Sequence, residues 1–430
     1  MKLTVPWGIF GYGNIGDEAM LNGFAALVKE YPRKLSIHIA SQNPTHAAAA
    51  EPAFRYYSQN SGGIEKWRAT WRSSGQLIVG DTPIMDHFGG WPLEELSRFV
   101  EAASHEKKPI VFLGTGTETL QHESSKRIVK ESLAPAVAHW SVRSERDRAR
   151  LQEYGVDPAR INVAADLAWL LRPSSRDFGQ REFRQLGLES PALRIGVSFT
   201  REAFVHQQSA GLPARLAQVL DALVEEYGAR IVFFCNEVRA GAEFDQAAND
   251  EIRALMVHRE ATYAVANNYW TPAQMMSLIG NCDYAIGMRY HFCLFSALQG
   301  IPFIAIKRSD KVDDLCWQLD WPHGVSLDDV TQACVRKVFL AMRAGGKQLG
   351  AALEARTLQM REKAKLNSAA LDAICSASAR VRWEPAAACR TFASAVKWDI
   401  KDYGARIKAY LPQPIRSALR TGKSWFRGTR

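Results

Sequence analysis

The chain has 430 residues, length enough for two domains, and its 47% hydrophobic and 23% charged content is ordinary globular composition. Seven scattered cysteines with no Cys-x-x-Cys pair, and ten histidines without metal-ligand spacing, exclude a disulfide scaffold and a structural zinc. Reduced thiols and a cytoplasmic setting are expected. No basic stretch followed by an apolar one opens the chain, and no run is long enough to span a bilayer, so neither a secretory leader nor a membrane-spanning segment is expected.

From the N-terminus, Leu3-Thr4-Val5-Pro6-Trp7-Gly8-Ile9-Phe10 reads as a strand running into Gly11-Tyr12-Gly13-Asn14-Ile15-Gly16. A helix then starts at or near Asp17, with Glu18 beside it. The glycine spacing matches a dinucleotide fingerprint, which alone is a weak signal. Two features argue against a nicotinamide or flavin site. Asp17 and Glu18 would repel a pyrophosphate, and the next strand, residues 35–40, ends in Ser41-Gln42-Asn43 rather than a ribose-holding acid. The two carboxylates equally suit a helix N-terminus on structural grounds alone.

Further apolar segments at 76–79, 110–113, 140–143 and 161–164 read as buried strands. Helical patterns at 19–30, 92–105, 126–138 and 147–154 separate them. Such alternation predicts a parallel sheet with helices on both faces. Arg143 ends one of these strands; it reads as a cation directed at a site or as a partner for Glu145 or Asp147. His139 reads as structural.

Residues 172–192 are polar and interrupted and read as a linker. The alternation then restarts with strands at 194–199, 230–235, 261–266, 283–286 and 303–306. The strand at 283–286 leads into Gly287-Met288-Arg289-Tyr290-His291 and an apolar helix that ends at Gly300. In a parallel α/β domain this junction lies at the carboxyl edge of the sheet, where ligands bind and helix amides attract anions. An Arg fork and an imidazole there suit a carboxylate or phosphate. The plain alternative is an Arg capping a carbonyl and a half-buried His. Arg201 lies just past a strand at an equivalent edge and Lys311 follows the next strand; each also reads as a surface cation.

The organisation is therefore α/β: a doubly wound, Rossmann-like domain over 1–172, a second over 193–345, a helix over 346–377 crossing back to the first, and a basic tail over 378–430. From Ser378 onward there are twelve Lys or Arg against three acids, which is the whole +9 net charge of the chain. Phe392, Val396, Ile400, Tyr403, Ile407 and Tyr410 recur at helical spacing within that tail. A basic amphipathic helix of this kind reads either as a membrane-surface element or as a helix packed on the body. No recognition fold accompanies the charge, so nucleic acid is not expected as a partner. Gly422-Lys423-Ser424 is not a phosphate loop, because position 417 is Ser.

The run Gly11-Tyr12-Gly13-Asn14-Ile15-Gly16-Asp17-Glu18, with Ser141-Val142-Arg143-Ser144, Ala165-Asp166-Leu167-Ala168, Gly196-Val197-Ser198-Phe199-Thr200-Arg201 and the stretch from Met275 through Arg289-Tyr290-His291 to Lys311-Val312, resembles the polysaccharide pyruvyltransferase family in order and spacing. The resemblance covers residues 1 to about 345. It departs from the family where Val79-Gly80-Asp81-Thr82-Pro83 replaces a Gly-Gly-Gly run, and where Gly114-Thr115-Gly116-Thr117-Glu118 replaces a Gly-Gln-Gly-Ile-Gly turn.

The resemblance implies two domains facing a cleft, similar to the GT-B glycosyltransferases. It also implies transfer of the enolpyruvyl unit of phosphoenolpyruvate to sugar hydroxyls, with phosphoenolpyruvate as donor and no cofactor or metal. The acceptor would be a saccharide of a cell-surface polysaccharide, possible as a lipid-linked intermediate at the inner membrane face. On that reading Asp17, Glu18 and His291 are the catalytic candidates, and Gly13, Asn14, Arg143, Arg201, Arg289 and Lys311 bind substrate. The departures keep open a nucleotide-sugar glycosyltransferase, and the basic tail a non-catalytic, membrane-associated assembly factor.

Overall fold

In the computed structural model two all-parallel sheets are built around central strands that are largely buried on both faces, as parallel strands covered by helices require, with partly exposed strands at the edges. The structure describes every residue except 62, 190–191, 202–210, 240, 242–243, 379–390, 394, 398 and 400–430. The first sheet contains β1 (Lys2–Val5), β2 (Ser36–Ser41), β3 (Arg55–Ser58), β4 (Gln76–Val79), β5 (Ile110–Thr115), β6 (His139–Val142) and β7 (Ile161–Val163). Its order is β3-β2-β1-β4-β5-β6-β7. The second contains β8 (Arg194–Ser198), β9 (Arg230–Phe233), β10 (Thr262–Ala264), β11 (Tyr284–Gly287), β12 (Phe303–Lys307) and β13 (Gly324–Ser326), ordered β10-β9-β8-β11-β12-β13. Each order reverses once, between β1 and β4 and between β8 and β11, so each sheet has one switch point where ligands bind.

The helices used below are α1 (Ile15–Glu30), α2 (Gly63–Trp71), α3 (Glu145–Glu153), α4 (Asp177–Gln185), α5 (Pro272–Ile279), α6 (Tyr290–Leu298), α7 (Asp310–Gln318), α8 (Gln332–Lys365) and α9 (Ser368–Ser378). Asn14 caps α1 by accepting from the Gly16 amide at 3.0 Å, satisfying one of the free N–H groups that open any helix. The first strand is shorter than the apolar run suggests: pairing stops at Val5, and residues 6–13 form the turn that enters the cleft.

Residues 172–192 do not form a plain linker. α4 lies within them, with Phe183 buried and the Gly179 amide donating to Ser277 Oγ of α5 at 2.9 Å. A polar sequence with a single buried Phe forms a helix here because α5 supplies the apolar surface it needs. Strands β3 and β13, at the sheet edges, were not evident from the sequence pattern.

One buried apolar cluster runs from one face of the first sheet through α1 and Leu167–Leu170 into the whole second sheet. The other face of the first sheet holds a separate cluster around Trp7, Phe112 and Trp140. α8 bends at Gly346 (φ 49°), and α9 then packs under the first sheet. Asn367, fully buried between α8 and α9, accepts from Ser141 Oγ at 2.7 Å and donates to the Ala165 carbonyl at 2.9 Å. The two halves thus share a core on one side and a cleft on the other.

Candidate active site at the two switch points

The turn between β1 and α1 is fitted against the second sheet rather than left open for a phosphate. Gly13 has φ +100°, and a β-carbon there would sit 2.5 Å from Val238 Cγ2. Its carbonyl accepts from the Val238 amide at 2.8 Å, and the Ile15 amide donates to the Asn236 carbonyl at 2.8 Å. A β-carbon on Gly16 would overlap the imidazole of His291 at the start of α6. The two helix N-termini, one from each sheet, therefore meet at the cleft.

On the first wall, Asp17 and Glu18 are almost fully buried. Glu18 Oε1 accepts from the Gly11 amide at 2.6 Å and from the Tyr269 hydroxyl at 2.5 Å. Asp17 Oδ2, Glu18 Oε2 and Asp81 Oδ2 are buried without a hydrogen-bond partner among the described residues. Burial pushes the Asp17 carboxyl well above the ordinary carboxylate range, and neighbouring Asp81, Glu18 and Glu237 push it the same way. Burial also raises Glu18, opposed by its bonds from Tyr269 and Gly11. Glu237 is held by Arg239, at 2.6 Å from Nε and 2.8 Å from Nη2, and Arg239 stacks over the ring of Tyr12 at 4.2 Å.

On the second wall, Arg143 donates from Nη1 to Asp166 Oδ2 and from Nη2 to Thr82 Oγ1, both at 2.9 Å. Gly116 leaves room for that guanidinium, since a β-carbon there would overlap it. His291 Nε2 lies 3.7 Å from Asp166 Oδ1, within ion-pair reach but too long for a hydrogen bond. Burial alone would raise Asp166, but His291 and Arg143 outweigh it and hold the carboxyl well below its usual range. Arg143 responds in the opposite sense: burial favours its loss of charge, while Asp166 and Asp147 more than restore it. The Tyr290 ring lies 5.9 Å from the Arg143 guanidinium carbon.

Arg289 sits at the N-cap of α6, and its Nε and Nη2 donate to the fully buried Asp245 at 2.8 and 2.5 Å. Asp245 also accepts from the Asn236 amide at 2.8 Å, so Arg289 ties α6 to the segment that touches the glycine turn. Arg201 pairs with Glu251 at 3.2 Å in a separate pocket beside Phe199, Leu212 and Met288. Lys311 reaches Glu118 of the first half at 3.1 Å. Beyond it, Arg146 meets Asp313 and Asp314, each at 3.2 Å, and Arg150 bonds Asp310, so α3 and α7 close that rim.

Of the residues singled out from sequence, the structure gathers Gly13, Asn14, Asp17, Glu18, Arg143 and His291 around the meeting point of the two helix ends. Arg289 stands behind them, while Lys311 is at the rim and Arg201 lies aside. His139 bonds Asn162 at 2.6 Å, in the body of the sheet. Sequence reasoning did not assign Asp81, Thr82, Asp166, Tyr269, Glu237, Arg239 or Asp245 to the site. Asp166 lay within a recognised family segment, but the others come from the segments that follow three different strands, β4, β9 and β10. Among the described residues no group of three or more His, Cys, Asp or Glu side chains is placed to hold a metal ion. The six cysteines among those residues are free thiols; Cys389 lies outside them.

Two doubly wound sheets with their switch points meeting at a cleft make this a two-domain protein of GT-B type. The family model for polysaccharide pyruvyl transferases matches residues 14–310, and the chain belongs to that family. Its fold is similar to that of HepE from Anabaena in complex with UDP-glucose, at a TM-score of 0.60 and 11% identity, covering 87% of this chain and 100% of that one. It is also similar to UDP-GlcNAc 2-epimerase from Neisseria meningitidis bound to UDP-GlcNAc, at a TM-score of 0.56 and 9% identity over 86% of this chain and 99% of that one. A glycosyltransferase from Rickettsia africae matches with a TM-score of 0.52 and 11% identity, over 86% and 98% of the two chains. No curated protein matches the chain by sequence.

Proposed function

We propose that this protein transfers the pyruvate unit of phosphoenolpyruvate to two hydroxyls of a saccharide, forming a ketal in the synthesis of a cell-surface polysaccharide. The observation that carries the reading is the pairing of two unlike walls in one cleft. Buried carboxyls with unpartnered oxygens and the Arg143–Asp166–His291 group adjoin the meeting point of two helix N-termini.

Ketal formation protonates the donor's methylene carbon, adds one sugar hydroxyl to the adjacent carbon, and lets a second hydroxyl displace phosphate. A carboxyl that holds its proton, as burial makes Asp17 do, suits the first step. The unpartnered oxygens of Glu18 and Asp81 suit the hydroxyl donors of a sugar. Arg143 and His291, with the amides that open α6, suit the donor's phosphate and carboxylate. Arg289 contributes by fixing α6, and Lys311 adds charge at the rim. The acceptor is a lipid-linked saccharide at the inner membrane face, with residues 378–430 holding the enzyme near it.

The test is thermal stability against phosphoenolpyruvate for wild type and His291→Gln. A ligand that binds only the folded state raises the midpoint with its occupancy. A rise in wild type that is lost in the variant is expected; no rise in wild type at millimolar donor would overturn the reading. His291→Gln is preferable to Arg289→Ala, which would strand the buried Asp245 charge.

A second reading, a nucleotide-sugar donor, draws on the fold neighbours that were solved with UDP-glucose and UDP-GlcNAc. A stability rise with a uridine diphosphate sugar and none with phosphoenolpyruvate would favour it.

A further inference from the structure

The cations of the cleft all have carboxylate partners, but four on the opposite edge of the first sheet have none. An open groove of about 700 Å³ lies between α2 and the strands β1, β2 and β3. It is lined by Lys2, which opens β1, Arg55, which opens β3, and Arg68 and Arg72 at the end of α2. All four are exposed, and among the described residues none of these side chains makes a hydrogen bond or ion pair. Glu65 is the one acid among the lining residues. Among the described residues, Tyr57 Oη and His38 Nε2 of the lining are buried with no hydrogen-bond partner. Arg55 and Lys2, adding to burial, press the His38 pKa below its ordinary value. The site of pyruvyl transfer proposed above is at the carboxyl edge of the sheet, whereas Lys2 and Arg55 mark the amino edge. This groove therefore has no part in that chemistry.

We propose that this groove is a docking surface for the anionic phosphate headgroups of a membrane. Two observations favour a surface over a small soluble anion. The cations come from three elements around an open groove of about 700 Å³. Described residues of the basic tail also lie beside it. The Ile64 amide at the groove wall donates to Asp399 at 3.1 Å, and Trp67 of α2 packs on Phe392 at 4.9 Å and donates to Thr391 Oγ1 at 2.9 Å. The described residues of the basic tail, Thr391, Phe392 and Asp399, thus contact α2 beside the four cations.

The experiment is flotation of the full-length chain with vesicles of phosphatidylcholine, with and without phosphatidylglycerol. Wild type is compared with Arg55→Glu/Arg68→Glu/Arg72→Glu and with the milder Arg55→Gln/Arg68→Gln/Arg72→Gln. These side chains are exposed, so the fold should tolerate both sets; circular dichroism and turnover on a soluble acceptor should match wild type. The expected result is binding that requires phosphatidylglycerol and falls on the order of 100-fold in the charge-reversed protein, as loss of three surface cations implies. Equal binding by wild type and the reversed protein would overturn the proposal and leave the tail as sole anchor. Inorganic pyrophosphate that stabilises wild type but not the variants, without vesicle binding, would also overturn it in favour of a soluble anion. Retention of a DNA or RNA duplex in place of vesicles would do the same in favour of nucleic acid.

Discussion

Where β1 gives way to α1 the helix opens with Asp17 and Glu18, and where β11 gives way to α6 it opens with Arg289 and His291. The two junctions have the same topology: each is the start of a helix at a switch point. A helix N-terminus favours negative charge and disfavours positive. α1 therefore has the favoured sign, yet burial raises the pKa of both its carboxyls. α6 has the disfavoured sign, and the fold answers with Asp245 on Arg289 and Asp166 near His291. The comparison teaches that at the second junction Arg289 is fully bonded within the protein, whereas His291 has an ion-pair neighbour but its buried Nε2 makes no hydrogen bond among the described residues. At the first, three buried oxygens lack partners among the described residues, which is why the proposed reading puts the sugar hydroxyls there.

The comparison breaks most severely through Asp166. Replacing it by Ala leaves the buried Arg143 without its carboxylate, and the expected cost is about 3–5 kcal/mol in urea unfolding. A loss under about 1 kcal/mol would mean the second wall is not the closed network described. The pH dependence follows from the lowered folded-state pKa of Asp166. Its contribution is present above the unfolded carboxylate value and is lost as pH falls through the depressed one. The gap between wild type and variant should therefore hold from neutrality into the ordinary carboxylate range and narrow only in stronger acid.

Next in size is Gly16→Ala, which pushes a methyl into the His291 ring. Moving a reacting group by about 1 Å can cost roughly 100-fold in rate, and that loss in kcat is expected, with about 1–3 kcal/mol of stability. Unchanged turnover would separate the two junctions as independent features. Asp17→Asn sharpens the contrast in the other direction. Asp17 has a raised folded-state pKa, so its favourable contribution exists at low pH and is lost as pH rises. The Asn variant should be inactive yet gain on wild type by about 1 kcal/mol at about pH 8, with little gain at about pH 4. A variant that is equally or less stable at the higher pH would contradict the assignment of an uncompensated carboxyl. Smallest of all is Lys311→Met. Its pair with Glu118 is partly exposed, and thermal unfolding should move by less than about 1 kcal/mol.

Much of this was legible in the chain itself. Apolar runs such as Ile110–Thr115 and Phe303–Lys307 are buried on both faces, so their continuous hydrophobicity marks them as parallel strands without further information. The glycine turn and the Arg289-Tyr290-His291 junction were found for the same reason, because a strand, a turn and a helix follow one another locally. α4 was missed because its helix depends on the surface of α5 for burial. Asp81 was seen only as a departure from a glycine run; with φ 59° it occupies a left-handed position that glycine adopts freely. The described start of the tail, Phe392 on Trp67, packs against the body, while Ile400, Tyr403, Ile407, Tyr410 and the aromatic pair Trp425-Phe426 lie outside the described residues. Among the described residues no helix is long and apolar enough to cross a membrane.

By itself the sequence determined the number of sheets, the family and the two helix openings that carry the candidate groups, because those signals are periodic or contiguous and need only neighbours along the chain. The tertiary structure alone decided which charges are spent. Arg289 is bound to a residue 44 positions earlier and Glu18 to one 251 positions later. Whether an ionisable group holds a proton, a partner or an open valence depends on burial and on charges brought in by distant loops. No local pattern records that, and so the four free cations at the amino edge became visible only once the groove around them had formed.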